Sequence, residues 1–237
     1  KVPASFSDMR CISEKEAGTF WRNSSILVDD IKELVMDKII CIGKNYLKHA
    51  LELNEAAPEN PVVFFKPPSC LVDASQTTEI SLPWSLGEIH HELELVFQLG
   101  KDNHGKIQLK AWTLGLDLTA RDLQKKLKDS GHPWERAKAF PQSAVIGPFQ
   151  KLSSLEELLE SQFSLTINGN VAQKTQGKEM TWSPTQLLSD LESSFTICDG
   201  DLLFTGTPEG VGPLHPGDQL NLTLGDSLNF QVTIAKN

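Results

Sequence analysis

Three carboxylates pose the first chemical question. In His90-His91-Glu92-Leu93-Glu94-Leu95-Val96-Phe97-Gln98-Leu99, Leu93, Leu95, Phe97 and Leu99 share one parity while Glu92 and Glu94 share the other. Side chains alternate across a strand, so the pattern predicts one buried face and two glutamates pointing together from the opposite face. Residues two apart on a strand are roughly 7 Å from each other, a gap that two glutamates can close around one hard cation with bonds of about 2.1 Å. A third oxygen donor is available in residues 112–119, where Leu114, Leu116 and Leu118 alternate with Thr113, Gly115 and Asp117. On these residues alone a solvated outer face is the commoner arrangement, because acids without partners are mostly exposed.

A second group supplies acid and base. Gly43-Lys44-Asn45-Tyr46-Leu47-Lys48-His49-Ala50-Leu51-Glu52-Leu53 reads as a glycine turn feeding a short helix, with His49 and Glu52 on one face. A carboxylate beside an imidazole raises its basicity and fixes its tautomer, which suits a water-activating base, although an exposed His-Glu pair is the commoner use of this spacing. Arg121 and Gln124 are likewise three apart, on a helical face that can look back toward Asp117. Lys138, between Ala137 and Ala139, is either an oxyanion partner or a surface charge. Lys66, at the exit of a proline-ended strand in residues 60–68, is equally an edge charge or a channel residue. Residues 201–212 run from a strand into a glycine-rich loop with Thr207 at its mouth. Such a loop brings backbone N–H groups close to an anion, but it lacks the Lys-Ser/Thr ending of a nucleotide-binding loop, and Gly210 and Gly212 can equally serve turns.

The elements that must position these groups are mostly strands. Ile39-Ile40-Cys41-Ile42 is a buried strand ending at Gly43, and residues 100–105 form a polar loop joining two strands. Thr119-Ala120-Arg121-Asp122 resembles a capping box opening a helix that ends near Gly131, which gives Asp122 a structural role and leaves it out of the metal set. Ser154 starts a second helix, and Ser183-Pro184 a third running through Leu191. Residues 163–167 and 170–173 flank Asn168-Gly169 as a β-hairpin, and residues 219–224 and 228–234 are strands joined by Gly225-Asp226. Residues 1–38 form a preamble with a helical run at 30–36 and no legible chemistry; residues 39–237 form one catalytic domain.

Composition bounds the function. A chain of 237 residues, 39% of them hydrophobic, can bury the core of one β-rich domain. A net charge of −9 argues against nucleic acid or an anionic membrane as partner, and an anionic substrate would need a local cation. Cys11, Cys41, Cys70 and Cys198 show no zinc spacing or dense disulfide framework, so reduced, buried thiols are expected and none is a nucleophile. No apolar run approaches the ~20 residues of a membrane span, and no secretory core is present. The expected location is cytoplasmic, or mitochondrial if a targeting peptide has been removed.

Read together, His90-His91-Glu92-Leu93-Glu94-Leu95, Leu116-Asp117-Leu118-Thr119-Ala120-Arg121-Asp122, Pro133-Trp134-Glu135-Arg136-Ala137-Lys138-Ala139-Phe140 and Thr205-Gly206-Thr207-Pro208-Glu209-Gly210-Val211-Gly212 resemble the fumarylacetoacetate hydrolase family. Within it, the chain looks most like the small acylpyruvate hydrolase and oxaloacetate tautomerase branch. The resemblance spans residues 39–234 and implies a mixed β-rich α+β fold, the β-roll of the family's catalytic domain with short helices, and a homodimer. It implies Mg2+, with Mn2+ or Ca2+ as alternatives, held by Glu92, Glu94 and Asp117. His49 and Glu52 would sit on a lid helix, residues 45–54, that orders over ligand. They and Lys138 would be catalytic, while Arg121, Gln124 and Thr207 would bind a small anionic 2-oxo acid. The implied activity is carbon–carbon hydrolysis of 3-acylpyruvates, of acetylpyruvate or fumarylpyruvate type, through a metal-stabilised enolate. The alternative is an oxaloacetate keto–enol tautomerase or decarboxylase using the same site. Loops such as residues 72–79 have no match, which leaves the acyl group open.

Overall fold

The apolar runs and alternating segments become strands. A computed structural model describes residues 36–52 and 58–236. Its strands begin, in chain order, with β1 (Ile39–Gly43), β2 (Val62–Lys66), β3 (Leu71–Asp73), β4 (Glu79–Ile80), β5 (Ile89–His91), β6 (Leu93–Lys101), β7 (Ile107–Asp117) and β8 (Thr119–Ala120). They continue with β9 (Ala144–Ile146), β10 (Gln150–Lys151), β11 (Gln162–Ile167), β12 (Asn170–Gln176), β13 (Leu202–Phe204), β14 (Gly212–Pro213), β15 (Gln219–Leu224) and β16 (Leu228–Ile234). The helices between them are short: α1 (Leu47–Glu52), α2 (Arg121–Asp129), α3 (Glu135–Lys138), α4 (Leu155–Glu160) and α5 (Pro184–Ser194). Apart from Met36, the helical run expected at residues 30–36 lies outside the described residues, as does Cys11. Among the described residues no helix is long and apolar enough to cross a membrane.

The main sheet runs β2-β1-β13-β6-β7-β9-β3, with β10 added on β7; a second runs β12-β11-β15-β16-β4, and a small one β14-β5-β8. Leu93, Leu95, Phe97 and Leu99 of β6 pack into the large core with Leu165, Leu220 and Leu222 of the second sheet. Each such fully buried side chain contributes about 1.5–3 kcal/mol. The opposite face of β6 is not solvated, contrary to the expectation of a strand with one buried face. There Val96 packs with Ile39, Cys41 and Phe204, and also with Phe64 of β2 and Ile146 of β9. Strands β2 and β9 stand far apart in the sheet order, so their meeting in one cluster means that the sheet curls around it. The carboxylates therefore project into the concave side of a roll. Gly115 of β7 lies on that side, where a Cβ would come within 2.6 Å of the Val145 carbonyl oxygen and 2.8 Å of a Val96 methyl.

Lys66 is neither an edge charge nor a channel residue. It is fully buried, its Nζ stands 2.8 Å from Asp117 Oδ1, and it donates to the carbonyls of Ser143 (2.8 Å), Leu118 (3.2 Å) and Lys138. A buried ammonium is costly unless its donors are satisfied, and these oxygens satisfy them while clipping β2 to the β7–β8 corner and to the segment after α3.

The local signals mostly hold. Asn168 and Gly169 both adopt positive φ (52° and 82°), as the hairpin turn requires, and Ser154 and Ser183 cap α4 and α5, the latter in a capping box with Gln186. The capping box at Thr119 does not form. Pairing of Thr119 with His90 keeps it extended in β8, its hydroxyl donates to the Asp117 carbonyl at 3.1 Å, and Ala120 stands at the N-cap instead. Cys41 and Cys70 are free and buried, but Cys198 is disulfide-bonded, against the expectation of reduced thiols.

Candidate active site

The chain leaves strand geometry at Glu92, between β5 and β6, yet the two glutamates still converge. The Asp117 N–H donates to the Glu92 carbonyl at 2.9 Å, which brings the end of β7 to the same point. One oxygen from each of Glu92, Glu94 and Asp117 lies within 4.8 Å of the others, and all three residues are buried. Oxygens around a Mg2+- or Mn2+-sized ion stand roughly 3–4 Å apart, so small side-chain rotations suffice to close the set on one. Apart from its ion pair with Lys66, Asp117 Oδ1 receives no hydrogen bond. A buried, underused lone pair on a hard donor fits a divalent cation.

Cations surround this acidic cluster. Lys138, at the end of α3, places Nζ 2.8 Å from Glu92 Oε2 and 2.6 Å from Asp117 Oδ2. Arg121 donates from Nη2 to Glu92 Oε1 at 2.5 Å, and from Nη1 to Gln124 Oε1 at 2.7 Å, so the expected Arg121–Gln124 face does look back toward the carboxylates. Burial pushes the Glu92 carboxyl up, but Lys138, Arg121 and His49 together outweigh it and hold it well below the usual carboxylate range. Glu94 goes the other way: burial, then the charges of Asp117 and Glu92, raise it well above that range, against the Gly206 N–H and Lys138. Burial opposes the charge on Lys138, yet Asp117 and Glu92 raise its pKa overall, so it stays an ammonium. The Gly206 N–H reaches Glu94 Oε2 at 2.7 Å. Its φ of 98°, and the 2.8 Å that would separate a Cβ from Asn45 Cβ, restrict that position to glycine.

Helix α1 brings His49 to the site. His49 Nδ1 lies 3.2 Å from Glu52 Oε2, and the Gly210 N–H points at both Glu52 oxygens at 3.1 and 3.3 Å. A carboxylate can only accept, so the neutral imidazole carries its proton on Nδ1 and leaves Nε2 as the base. His49, Glu92, Arg121, Gln124, Lys138 and Thr207 line one cavity of about 30 Å³. That volume admits a water or two. Just before the helix the Asn45 side chain is bonded to the Thr205 and Trp182 carbonyls and to the Trp182 N–H. Within the expected lid of residues 45–54, Asn45 is thus an anchor, and residues 53 and 54 lie outside the described residues. Adding Mg2+ and oxalate is expected to slow amide hydrogen exchange in residues 47–52 selectively, and unchanged exchange at saturation would refute a lid.

Thr207 is buried, and its Oγ1 accepts from Gln173 Nε2 at 2.8 Å. Gln173 is a polar residue that reading the sequence missed, and Lys66 one whose role it misjudged. Gln173 did leave a signal: it pairs with Leu165, an inward position where a second apolar residue would be expected.

The comparisons with known proteins follow the same lines. The model of the fumarylacetoacetate (FAA) hydrolase C-terminal family matches residues 38–235. An oxaloacetate tautomerase of Escherichia coli (strain K12) is 37% identical over 205 residues, covering 83% of this chain and 93% of that protein. A mitochondrial oxaloacetate tautomerase of Homo sapiens is 32% identical, covering 82% and 90%. The crystal structure of fumarylpyruvate hydrolase from Pseudomonas aeruginosa, in complex with Mn2+ and pyruvate, superposes with a TM-score of 0.77 at 32% identity, covering 85% of this chain and 91% of that one. With a family match over nearly all the described chain and relatives of this closeness, the protein is an enzyme of the fumarylacetoacetate hydrolase family, in its small acylpyruvate hydrolase and oxaloacetate tautomerase branch.

Proposed function

We propose that this enzyme interconverts the enol and keto forms of oxaloacetate at a divalent cation, Mg2+ or Mn2+, held by Glu92, Glu94 and Asp117. The observation that carries the reading is that Glu92 of that buried acidic cluster and His49 of the His49–Glu52 pair line one small cavity. The relatives named as oxaloacetate tautomerases support it. When bound, the ion would supply electrophilic stabilisation of an enolate made from a 2-oxo acid. Arg121, Gln124 and Thr207 hold carboxylate oxygens of the substrate, and the Lys138 ammonium offsets charge on the enolate oxygen. In the enol-to-keto direction, protonated His49 delivers its Nε2 proton to C3, and the proton lost from the enol oxygen restores it. Glu52 keeps Nδ1–H in place and steadies the imidazolium, while α1 excludes bulk water.

Hydrolysis of a 3-acylpyruvate, placed first on the sequence alone, is the second reading. It is favoured by the same pair, since an imidazole facing a water-sized cavity suits activation of water, and by the likeness to fumarylpyruvate hydrolase. Purified protein with Mg2+ should be offered enol-oxaloacetate, acetylpyruvate and fumarylpyruvate, with enol decay and pyruvate release both followed. Enol decay far outpacing acylpyruvate cleavage is expected; the reverse order makes the enzyme a hydrolase, and turnover of none of the three removes both readings. A homodimer belongs to the same proposal, with a light-scattering mass near twice the chain's 26.2 kDa as its measurement.

A further inference from the structure

We infer that Gln173 sets the hydrogen-bonding polarity of the substrate cavity by obliging Thr207 to act as a donor to the ligand. The inference rests on the proposed reading that Thr207 meets a substrate carboxylate. Gln173 is 1% exposed, and each polar atom of its amide has two partners. Two of these are backbone groups with only one role each. The Leu93 N–H can only donate, and it lies 2.9 Å from Oε1; the Pro208 carbonyl can only accept, and it lies 3.1 Å from Nε2. The orientation of the amide is therefore fixed by the backbone rather than chosen.

The roles of the other two partners follow. His91 Nδ1, 2.9 Å from Oε1, must carry a proton and donate it, and Thr207 Oγ1, 2.8 Å from Nε2, must accept. A hydroxyl has one proton, and that of Thr207 is spent on no other described protein group. Thr207 lines the cavity with Arg121 and Lys138, so its proton is available there. All three groups then present donors, a pattern that takes a carboxylate oxygen and leaves a ligand N–H or O–H at that position without an acceptor. Gln173 makes no contact with the ligand itself and acts through Thr207 as a positioning residue. It also ties β12 to the backbone between Glu92 and Glu94 through the Leu93 N–H.

Gln173→Glu separates these two functions. The glutamate keeps an acceptor toward Leu93 and His91 but replaces the donor toward Thr207 with a second acceptor, which draws the threonine proton away from the cavity. Calorimetry should show Mn2+ affinity within about threefold of wild type, and oxalate affinity in the presence of Mn2+ weaker by about 10- to 100-fold, the usual scale for losing a hydrogen bond to a charged group. Thr207→Val should lose a similar factor and Thr207→Ser little. The double variant Gln173→Glu/Thr207→Val should bind oxalate no more weakly than the worse single variant, because both remove the same donor. Multiplying losses in the double variant, or undiminished oxalate binding in Thr207→Val, would overturn the inference. If Gln173→Glu does not fold, Gln173→Met removes the amide donor without supplying an acceptor, so Thr207 is no longer obliged to donate to the ligand: oxalate should weaken by less than in Thr207→Val, and unchanged oxalate affinity would overturn the inference. Wild-type protein that binds Mn2+ but no oxalate would instead refute the functional reading, and the inference with it.

Discussion

In titrations with Mg2+, Glu94→Gln is expected to lose more than about 100-fold in affinity, beyond the 10- to 100-fold typical of residues that merely support a ligand, while its melting temperature stays level or rises. The two halves of this result have one cause. Burial and the neighbouring Asp117 and Glu92 charges already favour a neutral Glu94, so an uncharged amide of the same shape suits the metal-free fold. The folded carboxyl holds its proton to higher pH than the unfolded one, so the folded state binds more protons between the two pKa values, and stability falls as pH rises across that window. Glu94→Gln removes this loss. Asp117→Asn should lose metal affinity to the same extent but also destabilise the protein, by about 3–5 kcal/mol, because Lys66 and Lys138 are left buried beside a neutral partner. Wild-type Mg2+ affinity in both variants would remove the metal site.

His49→Ala should lower kcat by about 10²- to 10⁴-fold, the range for loss of a general base or acid, with little change in Mg2+ affinity. His49 stands on α1, whereas the three carboxylates come from the β5–β6 junction, β6 and the end of β7. Glu52→Gln should act in the same direction but less, for a reason visible only in the structure. The amide oxygen can still accept from the Gly210 N–H, so α1 stays docked, and only the charge that supports the imidazolium is lost. For the tautomerase the deficit appears in enol decay, and for the hydrolase in pyruvate release. Full turnover by His49→Ala in both assays would reduce α1 to a cover and leave Lys138 as the next candidate for proton transfer.

Chemistry carried by local spacing was legible in the sequence. Parity placed Glu92, Glu94 and Asp117 toward one point, three-residue spacing paired His49 with Glu52 and Arg121 with Gln124, and turn and cap residues marked the hairpin and two helices. What escaped depends on partners far along the chain. Periodicity reports whether a face is apolar, not whether the sheet curls over it, so the concave side of β6 read as a solvent face. Lys66 draws its partners from residues 117, 118, 138 and 143, and nothing in Phe64-Phe65-Lys66-Pro67 announces them. Thr119 had the right neighbours for a cap, but pairing with β5 took it first.

The matched charges around the acidic cluster have a thermodynamic consequence. Glu92, Glu94 and Asp117 face Lys66, Lys138 and Arg121, so the charges balance once Glu94 is ionised, and with Glu94 holding its proton the resting site carries one positive charge in surplus. A divalent ion entering alone displaces that proton and leaves a surplus of two positive charges in a poorly solvated site, whereas a dianion entering alone leaves a surplus of negative charge. Each relieves the other, and reciprocity requires that the factor by which the acid tightens the ion equal the factor by which the ion tightens the acid. The resting enzyme should hold its metal loosely, and the supply of 2-oxo diacid should govern how much of it is loaded.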